Sequence, residues 1–488
     1  MRFSALMVLL GGVLAGCDDA STVPLPAGGD TEVRNVLLIA ADDLGLQLSS
    51  YGETQIKTPQ LDELAARGTQ FDTAYVAQAS CSPSRASLMT GLYNHATGHY
   101  GLTNAGFALH EHLLGQTLPN LLKDAGYRTG LVGKLHVNPE ASFRFDFRPR
   151  GLNAQSVKNV AAAADEFMQR ERHRPFFLML SFADPHALFD READRWYFPD
   201  QVDGLPEEPL LPDEVRVFEQ QQTDSPGQRE RTAGYLNAVR RLDAGVGMVM
   251  QALRRHGLED STLVIFIGDH GPPFDRGKAT TYEFGLRIPF IVHWPGLSKP
   301  SRSPALVSTV DILPTILDAL GVPAPEGLHG QSLRALLRDA EVGHREYLAA
   351  EYHFHGATTY FPRRAIRDQR FKLIHNLIAG SNEHRPFRGI DGDQAHRVVR
   401  EARFDDTPVR QAFETFMAPP EFELYDLVND PVEFFNLAGQ AEFQDVEARL
   451  KQALLDWRQQ TDDPFLDPAY VERYANYTAP ARKTDHAH

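Results

Sequence analysis

NVLLIAADD, residues 35–43, is an apolar run closed by two aspartates, Asp42 and Asp43. An unbroken run of this length reads as a strand buried on both faces, the condition of a parallel sheet covered by helices. The carboxylates then sit at its C-terminal end. The same pattern returns in RPFFLMLSFADPH (174–186), which ends at His186, and in STLVIFIGDHG (261–271), which ends at Asp269 and His270. RIPFIVHWPG (287–296) supplies one more strand, and TLPNLLKDAGYRTGLVGK (117–134) a helix capped by Thr117, a glycine break and a strand. Between them lie helical patterns at 58–68, 154–172 and 234–257. Alternating strands and helices predict an α/β fold, a mostly parallel sheet with helices on both faces. Ligands in such sheets bind beyond the carboxyl ends of the strands. The motifs ADD, ADPH and GDHG are therefore expected to converge.

The pattern changes near residue 340. HREYLAAEYH, RRAIRDQRFKLIHN and EFELYDL predict a smaller antiparallel sheet, and FQDVEARLKQALLDWRQQ a helix packed on it. The expected organisation is a catalytic domain over 34–342 and a C-terminal α+β domain over 343–480. Ahead of both, the chain opens on MRFSALMVLLGGVLAGC, too short an apolar run to span a bilayer. It reads as a secretory signal over 1–17. Its Leu14-Ala15-Gly16-Cys17 ending resembles the bacterial lipobox, in which the cysteine carries lipid. Residues 18–33 read as a flexible tether. The expectation is an exported lipoprotein on the periplasmic side of the membrane, held by lipid alone, with Asp18 favouring the inner membrane. A net charge of −16 argues against nucleic acid as a partner.

The chain has two cysteines, so Cys17 and Cys81 cannot be a disulfide framework. Cys81 stands in SCSPSRASLMTG (80–91). As a residue it can be a metal ligand, a thiol nucleophile, a core side chain or a precursor. Pro83 suits a first helical turn, which places Cys81 at a helix mouth, where N–H groups favour negative charge. Arg85 falls one turn on, on the same face. Cysteine, helix start and guanidinium together suit an oxyanion. Asp42, Asp43 and Asp269 are hard oxygen donors of the kind Ca²⁺ takes. In GKLHV, alternation along a strand end would aim Lys134 and His136 the same way.

Cys-x-Pro-Ser-Arg followed by Leu-x-Thr-Gly resembles the signature of the formylglycine-dependent sulfatases. GKLHVNPE, ADPH, VIFIGDHGPPF, ELYDLVNDPVEFFNLA and WRQQTDDP are most similar to its N-sulfoglucosamine sulfohydrolase branch. The resemblance implies an alkaline-phosphatase-like fold and hydrolysis of sulfate from N-sulfated glucosamine of heparan- or heparin-type glycans. It implies that Cys81 is oxidised to formylglycine by a maturase. It implies one Ca²⁺ held by Asp42, Asp43, Asp269, His270 and the modified Cys81. Arg85, Lys134 and Lys278 would bind sulfate, His136 would serve as base and His186 as acid for the leaving group, with His355 a substrate contact. His270 departs from the asparagine of many sulfatases and leaves the metal's identity open. Three other readings stay open: an O-sulfatase, a phosphodiesterase or phosphonate hydrolase of the same fold, and a glycan-binding lipoprotein without activity. Two further matters stay open, a homodimer and a basic docking groove built on Arg363, Arg364 and Arg367.

Overall fold

The computed structural model describes residues 33–170, 173–380 and 394–479. The expected signal, Cys17 and residues 18–32 of the tether lie outside the described residues. Among those described, no helix is long and apolar enough to cross a membrane.

Strands β1 (Asn35–Ala41), β2 (Thr69–Tyr75), β3 (Arg128–Gly133) and β4 (Phe176–Phe182) come first. A short hairpin, β5 (Leu188–Asp190) and β6 (Arg195–Tyr197), follows the ADPH motif. Then come β7 (Thr262–Gly268), β8 (Phe290–His293) and β9 (Ser301–Ser308). The main sheet has the order β3-β4-β1-β7-β8-β2-β9. Within it β8 alone runs against the others, pairing antiparallel with both β7 and β2. The sheet is thus mostly parallel, as expected, with one reversed strand.

The side chains of β1 alternate between two cores. Val36, Leu38 and Ala40 face one, with Leu118 and Leu122 of helix Leu118–Asp124 and Ile312 and Ile316 of helix Ile312–Leu320. Leu37, Ile39 and Ala41 face the other, with helices Val157–Gln169 and Pro226–Arg255. That alternation explains why an unbroken apolar run was required: neither face of β1 meets water. The helix starts are chemically set. Ser156 accepts a hydrogen bond from the Asn159 amide, and Ser225 one from Gln228, ahead of Pro226. Thr117 occupies the expected cap position, but its hydroxyl makes no capping bond.

Strands β10 (Leu348–Tyr352), β11 (Arg363–Arg367), β12 (Phe371–Asn376) and β13 (Phe422–Asp426) form an antiparallel meander. Asp368 Oδ1 turns β11 into β12 by accepting from the Arg370 and Phe371 amides at 2.7 Å each. One face, with Ile366, Leu373 and Leu424, packs on Leu450 and Leu454 of helix Gln444–Gln460. The other, with Ala365, Ile374 and Tyr425, packs on Tyr282, which belongs to the loop after β7.

A basic groove on this sheet is ruled out. Arg363, Arg364 and Arg367 are only 2%, 0% and 5% exposed. Arg364 grips Asp463 through two bonds of 2.8 Å, and Arg367 meets Glu283 at 3.2 Å. A strand that looked cationic thus has its guanidinium groups buried, Arg364 and Arg367 in ion pairs and Arg363 over the Phe361 ring, 4.6 Å from its centroid.

Candidate active site

Strand register brings the motifs together. Ala41 pairs with both Phe182 and Gly268, and Gly133 pairs with Ser181. The residues just beyond β1, β3, β4 and β7 therefore emerge at one level of one sheet edge. Gly133 makes this possible: its φ is 95°, and there is no room for a Cβ, which would lie only 2.1 Å from the Ser181 carbonyl oxygen.

Helix Cys81–Thr90 points its N-terminus at this edge. Cys81 is 2% exposed, with Sγ 3.6 Å from Asp42 Oδ1 and 3.2 Å from His270 Nε2. Ser80 precedes the helix but does not cap it; its hydroxyl is bonded to His355 Nδ1 at 2.9 Å. His355, from the loop after β10, thereby lies beside the start of the cysteine helix. One turn on, Arg85 donates from Nε to Asp269 Oδ2 at 3.0 Å and from a terminal nitrogen to the Lys134 carbonyl oxygen at 3.0 Å. It also donates to Ser181 Oγ at 2.5 Å, a partner from β4 that the sequence did not reveal.

Three cations meet three carboxylates. Lys134 Nζ lies 2.7 Å from Asp42 Oδ2, Lys278 Nζ 2.7 Å from Asp43 Oδ1, and Arg85 holds Asp269 at 2.9 Å. Burial alone would raise the Asp42 carboxyl, but Lys134, His186, Arg85 and Lys278 outweigh it and hold it well below the carboxylate range. Burial and the neighbouring Asp42 push Asp269 up to about 6. Burial opposes ionisation of the Cys81 thiol as well, yet Lys134 and Lys278 draw it down to about 6. The cluster is close to neutral, so a divalent cation and a dianion can enter together without leaving buried charge unbalanced.

The residues fit a divalent cation. Asp42, Cys81, Asp269 and His270 offer ligand atoms within 4.8 Å of one another, and so do Asp42, Asp43, Cys81 and His186. Asp43 Oδ2 is buried with no hydrogen-bond partner and is aimed into this cluster. The two groups share Asp42 and Cys81, so they describe one site.

The histidines have fixed orientations. His186 donates from Nδ1 to the Ala187 carbonyl oxygen at 2.6 Å, which leaves Nε2 toward the site, 3.8 Å from Asp43 Oδ2. His270 donates from Nδ1 to the Gly271 carbonyl oxygen at 2.9 Å, so Nε2 faces the cysteine and Asp43. His136 has a buried Nδ1 without a partner; burial and Lys134 hold the ring neutral, down at about 3. The strand-alternation reading of Lys134 and His136 is corrected: β3 ends at Gly133, and His136 adopts a left-handed φ of 56°. A loop, not a strand end, brings both to the site.

Two supports escaped the sequence reading. Arg241 and Asp184, whose side chains are both 0% exposed, form a two-bond pair at 2.9 and 3.0 Å that anchors the ADPH loop. Tyr235 donates to the Asp43 carbonyl oxygen at 3.0 Å. Their only signal was a helix with too many polar residues on its apolar face. Arg241→Ala would leave Asp184 buried and unpaired. It is expected to destabilise the protein by about 3–5 kcal/mol in urea unfolding and to depress turnover through His186. A loss below about 1 kcal/mol would show that the pair is not an anchor.

Lys278 is placed by the second sheet. Arg276, at φ 64°, donates to the carbonyl oxygens of Ala412, Val432 and Glu433, and Tyr282 donates to Glu423 Oε2 at 2.8 Å. Glu283 accepts from Lys372 at 3.1 Å, and Lys372 also pairs with Glu433. The lysine loop is thus stapled at both ends.

Comparison with known proteins gives a consistent picture. The family model described as Sulfatase matches residues 34–322, and that described as N-sulphoglucosamine sulphohydrolase, C-terminal, matches 268–384. The chain is 33% identical to human N-sulphoglucosamine sulphohydrolase over 89% of its own length and 91% of the relative's. It is 29% identical to an ulvan-active sulfatase of Formosa agariphila, over 89% of its own length and 81% of the relative's. Among solved structures, one in complex with its substrate D-glucosamine-2-N,6-O-disulfate superposes with a TM-score of 0.66 at 21% identity, covering 88% of this chain and 99% of the other. A 2-O glycosaminoglycan sulfatase also gives 0.66, at 22% identity, covering 93% of this chain and 99% of the other. The mostly parallel sheet with its appended antiparallel sheet is the alkaline-phosphatase-like fold of these proteins.

Proposed function

Because this chain belongs to the sulfatase family, we propose that it hydrolyses sulfate from N-sulfated glucosamine of heparan- or heparin-type glycans, with Cys81 converted to formylglycine. The observation that carries the chemistry is the enclosure of Cys81 by three cations, three carboxylates and inward-facing imidazole nitrogens. Similarity to the N-sulfoglucosamine enzyme across both halves of the chain supports the substrate.

The hydrated aldehyde at position 81 would attack sulfur with one hydroxyl, whose proton passes to the Asp269 carboxylate, the one that burial and Asp42 make most basic in the cluster. Arg85, Lys134 and Lys278 stabilise the charge that develops on the sulfate oxygens. His186 Nε2 gives its proton to the departing amine, so the sulfur–nitrogen bond breaks without expelling an anion. His136, neutral, takes the proton of the second hydroxyl; sulfate leaves and the aldehyde returns. Asp42, Asp43, Asp269 and His270 would hold a divalent cation, Ca²⁺ by their oxygen donors, which supplies electrostatic binding of sulfate. The test is sulfate release from a panel of N-sulfated and O-sulfated saccharides by protein whose residue-81 peptide has the aldehyde mass. Release from O-sulfated members alone would replace this substrate with the O-sulfatase reading.

The lipobox-like ending supports an exported lipoprotein. Cys17→Ala is expected to move the exported protein from the membrane fraction to the soluble periplasm. Retention on membranes without detergent would exclude lipid as the anchor.

A further inference from the structure

The hairpin that begins two residues after His186 carries two large aromatic rings in water. Phe189 and Trp196 are register partners across β5 and β6, with ring centroids 5.2 Å apart, and they are 44% and 45% exposed. The ladder is three residues long on each side, too short to gain much from an exposed pair. The charges of the turn, Arg191, Glu192 and Asp194, are of both signs and set up no single-sign field. What this rim presents is apolar ring surface. The indole also meets the His186 ring edge-on, with centroids 5.9 Å apart at 72°.

That contact fixes what the rings face. His186 Nε2 points at the reacting centre, so the group that departs leaves past His186, and the remainder of a saccharide follows it outward over the hairpin. A pyranose carries flat patches of C–H between its hydroxyls, and these match the electron-rich face of an aromatic ring. We propose that Phe189 and Trp196 form a stacking platform for the sugar on the leaving-group side. Trp196 takes the ring that bears the departing nitrogen, and Phe189 takes the next ring along the chain. This rests on the assignment of His186 to the leaving group.

Phe189→Ala in full-length, aldehyde-bearing protein should raise KM for an N-sulfated trisaccharide about three- to tenfold. KM for the N-sulfated monosaccharide, kcat, and inhibition by inorganic sulfate should not move. Trp196→Ala should raise KM for both saccharides, and Trp196→Phe should restore it. Equal changes for saccharides and for sulfate inhibition would make the pair a mere hairpin brace and overturn the platform, as would no change at all. Binding is read separately in the inactive Cys81→Ala protein. Trp196 is the exposed one of the chain's three tryptophans, since Trp294 is buried and Trp457 half-buried. Trisaccharide should shift its emission to the blue, and Trp196→Phe should abolish the shift. An emission shift with no sulfate release from any saccharide sinks the catalytic reading and leaves the platform standing. Sulfate release with no emission shift and no KM effect does the reverse.

Discussion

Cys81→Ser is expected to lower steady-state sulfate release by roughly 10⁵- to 10⁶-fold, the scale on which loss of a nucleophile acts. The fold should survive, because serine fills nearly the same volume in a position that is 2% exposed and already at a helix start. The serine hydroxyl can still attack sulfur. It then holds sulfate as an ester on a carbon with no second hydroxyl, and nothing can collapse to expel it. The protein should therefore consume at most one equivalent of substrate and gain the mass of one sulfuryl group. Sustained turnover by the serine variant would remove formylglycine from the mechanism.

Lys278→Met is expected to cut kcat/KM by roughly 10²- to 10³-fold, the usual effect of losing one buried charge stabiliser. Its stability effect should depend on metal. Lys278 Nζ is 4% exposed and 2.7 Å from Asp43 Oδ1, so its loss strands a buried carboxylate. Without divalent cation the variant should lose about 3–5 kcal/mol. Ca²⁺ binding to the folded state should recover part of that and raise Tm more in the variant than in the parent. Melting curves with Ca²⁺ and with chelator, beside kcat/KM, give both numbers. An unchanged kcat/KM would take Lys278 out of the sulfate site.

What could be read from the sequence follows from burial. β1, β4 and β7 are covered on both faces, so their side chains are almost all apolar, Ser181 of β4 being the one polar residue inside a run, and each stands out. β2 (TQFDTAY) and β9 (SRSPALVS) pair with each other near and at the sheet edge, where polar residues and Pro304 are tolerated, and they carried no such signal. The direction of β8 was also invisible, since four apolar residues look alike whichever way they run. At the site, Asp42, Asp43, Asp269 and His186 were legible as polar residues at the ends of apolar runs. Lys278 was not. Its loop has no periodicity, and resemblance alone singled it out. Arg364 and Arg367 misled because a charged side chain reads as exposed until its partner, Asp463 or Glu283 and far away in sequence, is known; Arg363 misled because its burial over the Phe361 ring leaves no mark in the sequence.

The staple on the lysine loop limits how such a chain can be recombined. Arg276, Tyr282 and Glu283 find their partners at Ala412, Glu423, Val432, Glu433 and Lys372. A chimera that joins this main sheet to the second half of a distant relative would inherit the lysine without the grips that aim it. It could fold and still be a poor enzyme. Likewise, an inherited change at Glu423 or Glu433 would be scored as remote from the chemistry while acting on it. For exchange and for variant interpretation the two sheets are one unit.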